Sequence, residues 1–530
     1  MEKKSSTKKS FCKSFGDYCR EYSKVTGIHG VQYIGEKRTY FEKIWWLIVF
    51  IIALSSCVYA ILEVYYKWIR SPVIVTFATQ ETPIYTIPFP AVTICPESKT
   101  NQSLYNHTNI VRKILEKKSL TEDEQNTLNY ISLICNGGPH LNVAKGKFID
   151  ENIYEVLAKV QFTSPLSFCK YMGKLVACDE IFEPIITDDG ICYSFNVLDK
   201  SDLFRDIVIS NSNFHNANRT HNDWTIETGY AEHLDKHTYP RRALFSGLAN
   251  GLSINFKSTI EDIDASCKTG LQGFKVLLHL PSRLPLLSQG YFRVPDNEVV
   301  IAGVTPYMIT TSSTLKNYDV AKRNCYFSYE KELHFFKIYT VRNCKVECLT
   351  NFTLYYCGCV GFYMPRENGT RICGVEKQRC MLHAADKLHI LNLPNFSDLK
   401  NKTKKHKFHG NFTACDCLPM CADLSYNVEL SQSKWNWLPA YRAQITNNTN
   451  TIDPSSMSLS KLTIFFKTAD FIYSERNELY GPLDFLANFG GLLGLFTGFS
   501  LLSMLEIVYF LTIRLYFNVK LYGHWSGNDN

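Results

Sequence analysis

Two charge-free apolar runs, residues 44–62 and 485–505, bracket nearly everything else in this chain. Either is long enough for a bilayer core, which needs about 20 apolar residues, so whatever lies between them folds tethered to a membrane at both ends. Trp45 and Trp46 mark the inner edge of the first run and Tyr65, Tyr66 and Trp68 its outer edge, matching the aromatic belts that flank real spans. The second run carries Gly490, Gly494 and Gly498 at every fourth position, Gly491 beside them, and an acid, Glu506, before the apolar pattern ends near Ile513. Small residues four apart let helix backbones approach, which fits a packing face in an oligomer. Alternatively, residues 498–500 leave helical geometry and turn carbonyls toward a water-filled axis, since non-helical backbone at membrane depth is tolerated only where buried in protein or lining a cavity. Glu506 favours a pore, because an acid inside a span is costly and marks a functional site.

Orientation follows from the flanks. Ten basic residues (Lys3, Lys4, Lys8, Lys9, Lys13, Arg20, Lys24, Lys37, Arg38, Lys43) precede the first run against five acids, which places the N-terminus in the cytoplasm. The expected layout is a cytoplasmic N-terminal region (1–43), a first transmembrane helix (44–66), an extracellular domain (67–483), a second transmembrane helix with a pore (484–513) and a cytoplasmic tail (514–530). The first run is too long and too far from Met1 for a cleaved signal peptide. Residues 1–10, polar and lysine-rich, read as disordered. The formal charge of +7 is modest, and no basic stripe interleaved with aromatics points to nucleic acid.

Two further signals place the central region outside the cell. Glycosylation sequons stand at Asn101, Asn106, Asn218, Asn351, Asn368, Asn395, Asn401, Asn411 and Asn447, and none falls in either terminal region. Of 19 cysteines, Cys12, Cys19 and Cys57 lie in or before the first run, leaving an even 16 in the loop, as an oxidised framework of up to eight bridges requires. A zinc reading fails on spacing: Cys357-x-Cys359 and Cys415-x-Cys417 have one-residue gaps, and no histidine pair completes a set. No metal or cofactor is expected.

The extracellular texture is mixed. Strands are expected at 73–77, 273–280 and 462–466, and helices at 115–133 and 330–340, giving a β core with peripheral helices. The strand at 462–466 runs on toward Gly481 and the second span, close enough to transmit motion to it.

Several of these segments, in this order, resemble the degenerin/epithelial sodium channel family of amiloride-sensitive channels, which includes the acid-sensing ion channels. His29-Gly30 resembles its cytoplasmic His-Gly element, residues 89–95 (Phe-Pro-Ala-Val-Thr-Ile-Cys) its post-span segment, and residues 192–196 (Cys-Tyr-Ser-Phe-Asn) its palm motif. Residues 415–421 resemble the cysteine cluster that ends its thumb, and Gly498-Phe499-Ser500 its Gly-x-Ser filter. The divergent extracellular region is similar to insect members of the pickpocket group. The resemblance implies an α+β membrane protein with two transmembrane helices flanking a large disulfide-rich domain. That domain would have a β core (palm and β-ball) and a peripheral helical thumb, finger and knuckle, and the whole would assemble as a trimer. It implies the pairs Cys325–Cys421, Cys344–Cys417, Cys348–Cys415, Cys357–Cys380, Cys359–Cys373, Cys95–Cys192 and Cys169–Cys178, with Cys135 and Cys267 left over to pair together. It further implies a selectivity filter at Gly498, Phe499 and Ser500 and a degenerin position at Ala487 before Asn488, where bulk would hold the pore open. Gly491, Gly494 and Glu506 would line the pore, with His29 and Gly30 tuning gating from below. Two positions depart from the family pattern. Phe499 stands where many relatives carry a small residue, and Lys322 where acid-sensing relatives carry a tryptophan, so proton gating is not implied.

The expected function is a sodium-preferring cation channel subunit of the plasma membrane, amiloride-sensitive and opened by ligand, acid or force. Its partners would be sodium ions, the bilayer, its own or related subunits, and an unknown extracellular ligand. A non-conducting receptor or accessory subunit and an ATP-gated trimeric channel are the alternatives. No nucleophile elbow, phosphate loop or zinc motif supports an enzyme.

Overall fold

The computed structural model describes residues 3–70, 73–135, 141, 143–161, 164–209, 222–230, 238–259, 264, 266–267, 270–392, 415–444, 456–479, 481–522 and 525. The chain divides into two compact units, one made of residues 1–74 with 477–530, the other of residues 75–476.

In the first unit, helix α1 spans Lys3–Val25 and helix α2 spans Tyr40–Arg70. The start of α1 at Lys3 corrects the expectation of disorder for residues 3–10, residues 1 and 2 lying outside the described residues. Phe15, Tyr18 and Tyr22, spaced three and four apart, form an apolar stripe that a composition argument overlooks. The 31 residues of α2 exceed the expected 44–66 at both ends, reaching polar flanks that carry Glu42, Lys67 and Arg70.

The second unit is built on two sheets. Its strands, in chain order, are β1 (Val73–Phe77), β2 (Ala91–Pro96), β3 (Leu166–Tyr171), β4 (Lys174–Val176), β5 (Phe182–Thr187), β6 (Gly190–Phe195), β7 (Leu252–Thr259), β8 (Phe274–His279), β9 (Phe292–Val294), β10 (Glu298–Thr311), β11 (Asp423–Lys434), β12 (Met457–Phe466) and β13 (Ser474–Glu478). The larger sheet runs β1-β13-β10-β12-β7-β3-β4, with β11 also paired to β10, and the smaller runs β9-β8-β2-β6-β5. Strand β10 lies parallel to β12 and β13 and antiparallel to β11. Between the sheets Phe89, Ile94, Phe195, Phe256, Val300, Ile464 and Phe466 are buried in one core. Phe89 sits at its centre, with ring contacts to Tyr171, Phe195 and Phe466. One polar set in this interior is paired within itself: Thr93 Oγ1 meets both Ser194 Oγ (3.0 Å) and His279 Nε2 (2.9 Å). His279 Nδ1 lies 2.9 Å from the Leu280 carbonyl, and burial holds the imidazole pKa down to about 3.

Helices sit on the periphery, as expected, with two corrections. The segment 115–133 becomes helical only at α4 (Glu122–Ile131), because Leu115 is the last residue of a preceding helix, α3 (His107–Leu115). Thr121 starts α4 with a reciprocal cap, its Oγ1 accepting from Glu124 N while Glu124 Oε2 accepts from Thr121 N. The segment 330–340 is irregular because carboxylates occupy its backbone donors: Glu347 accepts from His334 N (3.0 Å) and Phe335 N (2.8 Å). The helix begins only at Val341, as α5 (Val341–Cys357), behind the capping Thr340. Helix α6 (Gln378–Leu391) packs beside it.

Eight disulfides tie this unit: Cys95–Cys192, Cys135–Cys267, Cys169–Cys178, Cys325–Cys421, Cys344–Cys417, Cys348–Cys415, Cys357–Cys380 and Cys359–Cys373. They include every pair the resemblance implies, and the two leftover cysteines pair with each other. Cys19 and Cys57, in the other unit, are free.

Candidate functional site

The second apolar run is not one helix. Helix α7 spans Pro482–Thr497, helix α8 spans Leu501–Tyr509, a π-helical turn covers Phe510–Arg514, and α9 (Leu515–Tyr522) completes the rod. Pro482 at the first turn needs no amide partner, and Asp484 Oδ2 accepts from Gly481 N (3.1 Å) to start α7.

The interruption at 498–500 is built from the residue types that stand there. Gly498 has φ +69°, the left-handed conformation in which a glycine ends a helix at little cost. Its amide still donates to the Gly494 carbonyl (2.9 Å). Ser500 then starts α8: its Oγ accepts from Ser503 N, and Ser503 Oγ accepts from Ser500 N, both at 3.2 Å. A glycine stop followed at once by a serine start leaves Gly498, Phe499 and Ser500 as the only non-helical residues described between Pro482 and Tyr522.

A segment from the other end of the chain covers this break. His29 N donates to the Thr497 carbonyl (2.9 Å), one of the carbonyls that the end of α7 leaves unpaired. A Cβ on Gly498 would lie 2.9 Å from His29 Cγ and 3.0 Å from the Gly27 carbonyl. Gly30, at φ +86°, turns the strap toward α2, where Tyr33 stacks on Trp46 with centroids 4.4 Å apart. His29 therefore meets Gly498 directly and Gly30 faces Phe50 and Trp46 of α2 instead, while Gly27, Thr497 and Ser503 join the site without having been singled out from sequence. Their signal was available: Gly27 pairs with Gly30 around Ile28-His29, and Ser503 follows Ser500 at capping spacing.

The remaining candidates are spread along the rod. Ala487, Gly491, Gly494 and Gly498 recur at steps of four, three and four, and so share one face of α7. Ala487, Asn488, Gly490 and Gly491 are exposed, and no described atom stands within 4 Å of where a Cβ on Gly490 or Gly491 would be. At the start of α7, Trp68 of α2 stacks on Phe485 at 5.1 Å. Glu506 is half-buried, and its Oε2 has no hydrogen-bond partner among the described residues. No group of His, Cys, Asp or Glu that could hold a metal occurs among them either. Of the sequons, Asn351 and Asn368 are exposed, Asn106 caps α3, and Asn101 is buried with its Oδ1 accepting from Ser103. Asn218, Asn395, Asn401, Asn411 and Asn447 lie outside the described residues.

The family model described as amiloride-sensitive sodium channel matches residues 22–510, from before the His-Gly strap to the end of α8. The chain belongs to that family. Among its curated relatives, Pickpocket protein 28 of Drosophila melanogaster is 29% identical over 93% of this chain and 78% of its own length. The sodium channel protein Nach of the same species is 23% identical over 96% of this chain and 89% of its own. A solved proton-activated chloride channel aligns with 88% of this chain and 95% of its own at a TM-score of 0.27 and 7% identity, a likeness too small to bear on fold or ion. As a member of the amiloride-sensitive family, the chain is a membrane channel subunit with two apolar helices long enough to cross a bilayer.

Proposed function

We propose that the chain is a subunit of a sodium-preferring cation channel of the plasma membrane. It assembles as a trimer of itself or of related subunits, with both termini cytoplasmic and the disulfide-rich unit outside. Ions pass a constriction formed by Gly498, Phe499 and Ser500, with Ala487 at the outer gate and Glu506 below. The observation that carries this reading is the helix break at 498–500, because an apolar rod gives up helical hydrogen bonds at membrane depth only where another surface or water satisfies them. The open glycines 490 and 491 support close approach of three such rods, and the name of the relative Nach supports sodium as the permeant ion. The extracellular unit would receive the stimulus, an unidentified ligand, acid or force.

The test is whole-cell recording of Ala487→Val, expressed alone and beside a related subunit. A steady inward sodium current blocked by amiloride is expected. Surface-delivered protein that passes no current in either setting would replace this reading with that of a non-conducting accessory subunit.

A further inference from the structure

Below the filter, the first unit is held together by contacts between α1 and the cytoplasmic end of the rod. Tyr18, buried on α1, donates its hydroxyl to the Phe510 carbonyl, in the π-helical turn Phe510–Arg514. Such turns interrupt the regular ladder and recur at functional positions. The Phe510 ring is buried edge-on against Tyr22 with centroids 5.2 Å apart. The Arg514 guanidinium lies 5.2 Å from the same ring and donates through Nε (3.1 Å) and Nη2 to Glu21 Oε1. One turn further on, Asn518 Nδ2 donates to the Trp525 carbonyl (2.8 Å), and the Trp525 ring meets Phe15 at 6.5 Å. A hydroxyl on a backbone carbonyl, an aromatic pair, an ion pair and a second aromatic contact thus converge on one turn. All the α1 partners come from the 15–22 stripe.

We propose that α1 is a clasp on the inner end of the pore helix, with Tyr18, Glu21 and Tyr22 as positioning residues that hold the π turn at Phe510–Arg514 and so set the open fraction of the channel. This rests on the channel reading above and extends it to residues outside the filter. The chemistry is specific. Tyr18 fixes a backbone carbonyl rather than a side chain, so any residue at 510 keeps that bond, whereas the Glu21–Arg514 pair depends on opposite charges at two defined positions. Release of the clasp frees the turn while the strap at His29 and the break at Gly498 keep their own contacts. The expected effect is therefore on gating and not on ion preference.

The test uses the full chain in the Ala487→Val background. Glu21→Arg and Arg514→Glu each should change the steady current at equal surface density by about two- to fivefold, the range an ion pair of this exposure can shift an equilibrium. The double charge swap should return it toward the parent value with the sodium-to-potassium permeability ratio unmoved throughout. Single variants that match the parent, or a double variant no better than the worse single, would overturn the clasp. A conduction-independent arm places cysteines at Tyr22 and Phe510 in a chain whose Cys12, Cys19 and Cys57 are serine, with a protease site ahead of Cys95. A short thiol cross-linker should keep the N-terminal fragment attached to the body after cleavage. A fragment that separates would overturn the contact, as would a link appearing only at the mass of two chains. A silent Ala487→Val parent would count against the channel reading, and the cross-link would then decide the clasp by itself.

Discussion

The two units of this protein solve the folding problem with different means. The unit of residues 75–476 holds all eight disulfides and a core in which Phe89, Phe195, Phe256 and Phe466 are sealed from solvent. In the membrane-proximal unit the buried apolar side chains among the described residues are Tyr18, Cys57 and Phe510. The buried polar ones, Ser23, Thr497, Ser503 and Asn518, lie in α1, around the helix break or at the inner end of the rod. One region is fixed covalently and by burial. The other is fixed where backbone groups need partners and elsewhere presents apolar faces, such as Leu486, Leu495 and Leu501, for lipid or neighbouring helices to cover. A unit so little packed within itself is suited to two arrangements of similar free energy, as a channel subunit that opens and closes must be.

The contrast breaks first in the core of the disulfide-rich unit. Phe89→Ala removes a ring with no exposed surface and three aromatic neighbours, and should cost about 3–5 kcal/mol, as large-to-small changes at sealed aromatics do. Surface biotinylation together with thermal melting of the solubilised protein checks this, with loss of surface delivery as the expected outcome. Normal delivery and melting would mean that the disulfides alone hold the unit.

A smaller effect concerns pH. Burial pushes the Asp296 carboxyl up to about 6, so between about pH 4 and 6 the folded protein keeps a proton that the unfolded chain has released. Folding stability from this group is therefore highest below that window, falls as pH rises through about 6, and is flat above. Asp296→Asn should remove that slope from melting curves recorded between pH 4 and 7. An unchanged slope would assign it to other groups. His279, held near 3 by burial against 6.5 for a free imidazole, adds a slope of opposite sign between about pH 3 and 6.5, stability rising with pH, and Asp296→Asn leaves that slope in place.

How much was legible in the sequence also differs between the units. The apolar runs and the even cysteine count announce two apolar helices and a fully paired set of bridges between them, and the strands at 73–77 and 462–466 are visible as β-branched runs. Helix ends were less legible where side chains compete for backbone groups: Glu347 dissolves an expected helix at 330–340, and the Thr121–Glu124 cap starts another only at Glu122. In the membrane-proximal unit the glycine stop and serine start announce the break at 498–500. The strap of His29 over Gly498 and the grip of Tyr18 on Phe510 join residues 469 and 492 positions apart, a distance that no local pattern encodes.

The proposed filter requires Gly498 to stay left-handed and side-chain-free against His29. At φ +69°, with His29 Cγ at 2.9 Å and the Gly27 carbonyl at 3.0 Å from an added Cβ, Gly498→Ala should strain the break by about 1–3 kcal/mol and spare the disulfide-rich unit. The direct measurement is the reversal potential of Ala487→Val channels, with and without Gly498→Ala, as external sodium is exchanged for potassium. A shift in the sodium-to-potassium permeability ratio at matched surface density is the result expected. Identical reversal potentials in the two channels would place the selectivity-determining constriction elsewhere.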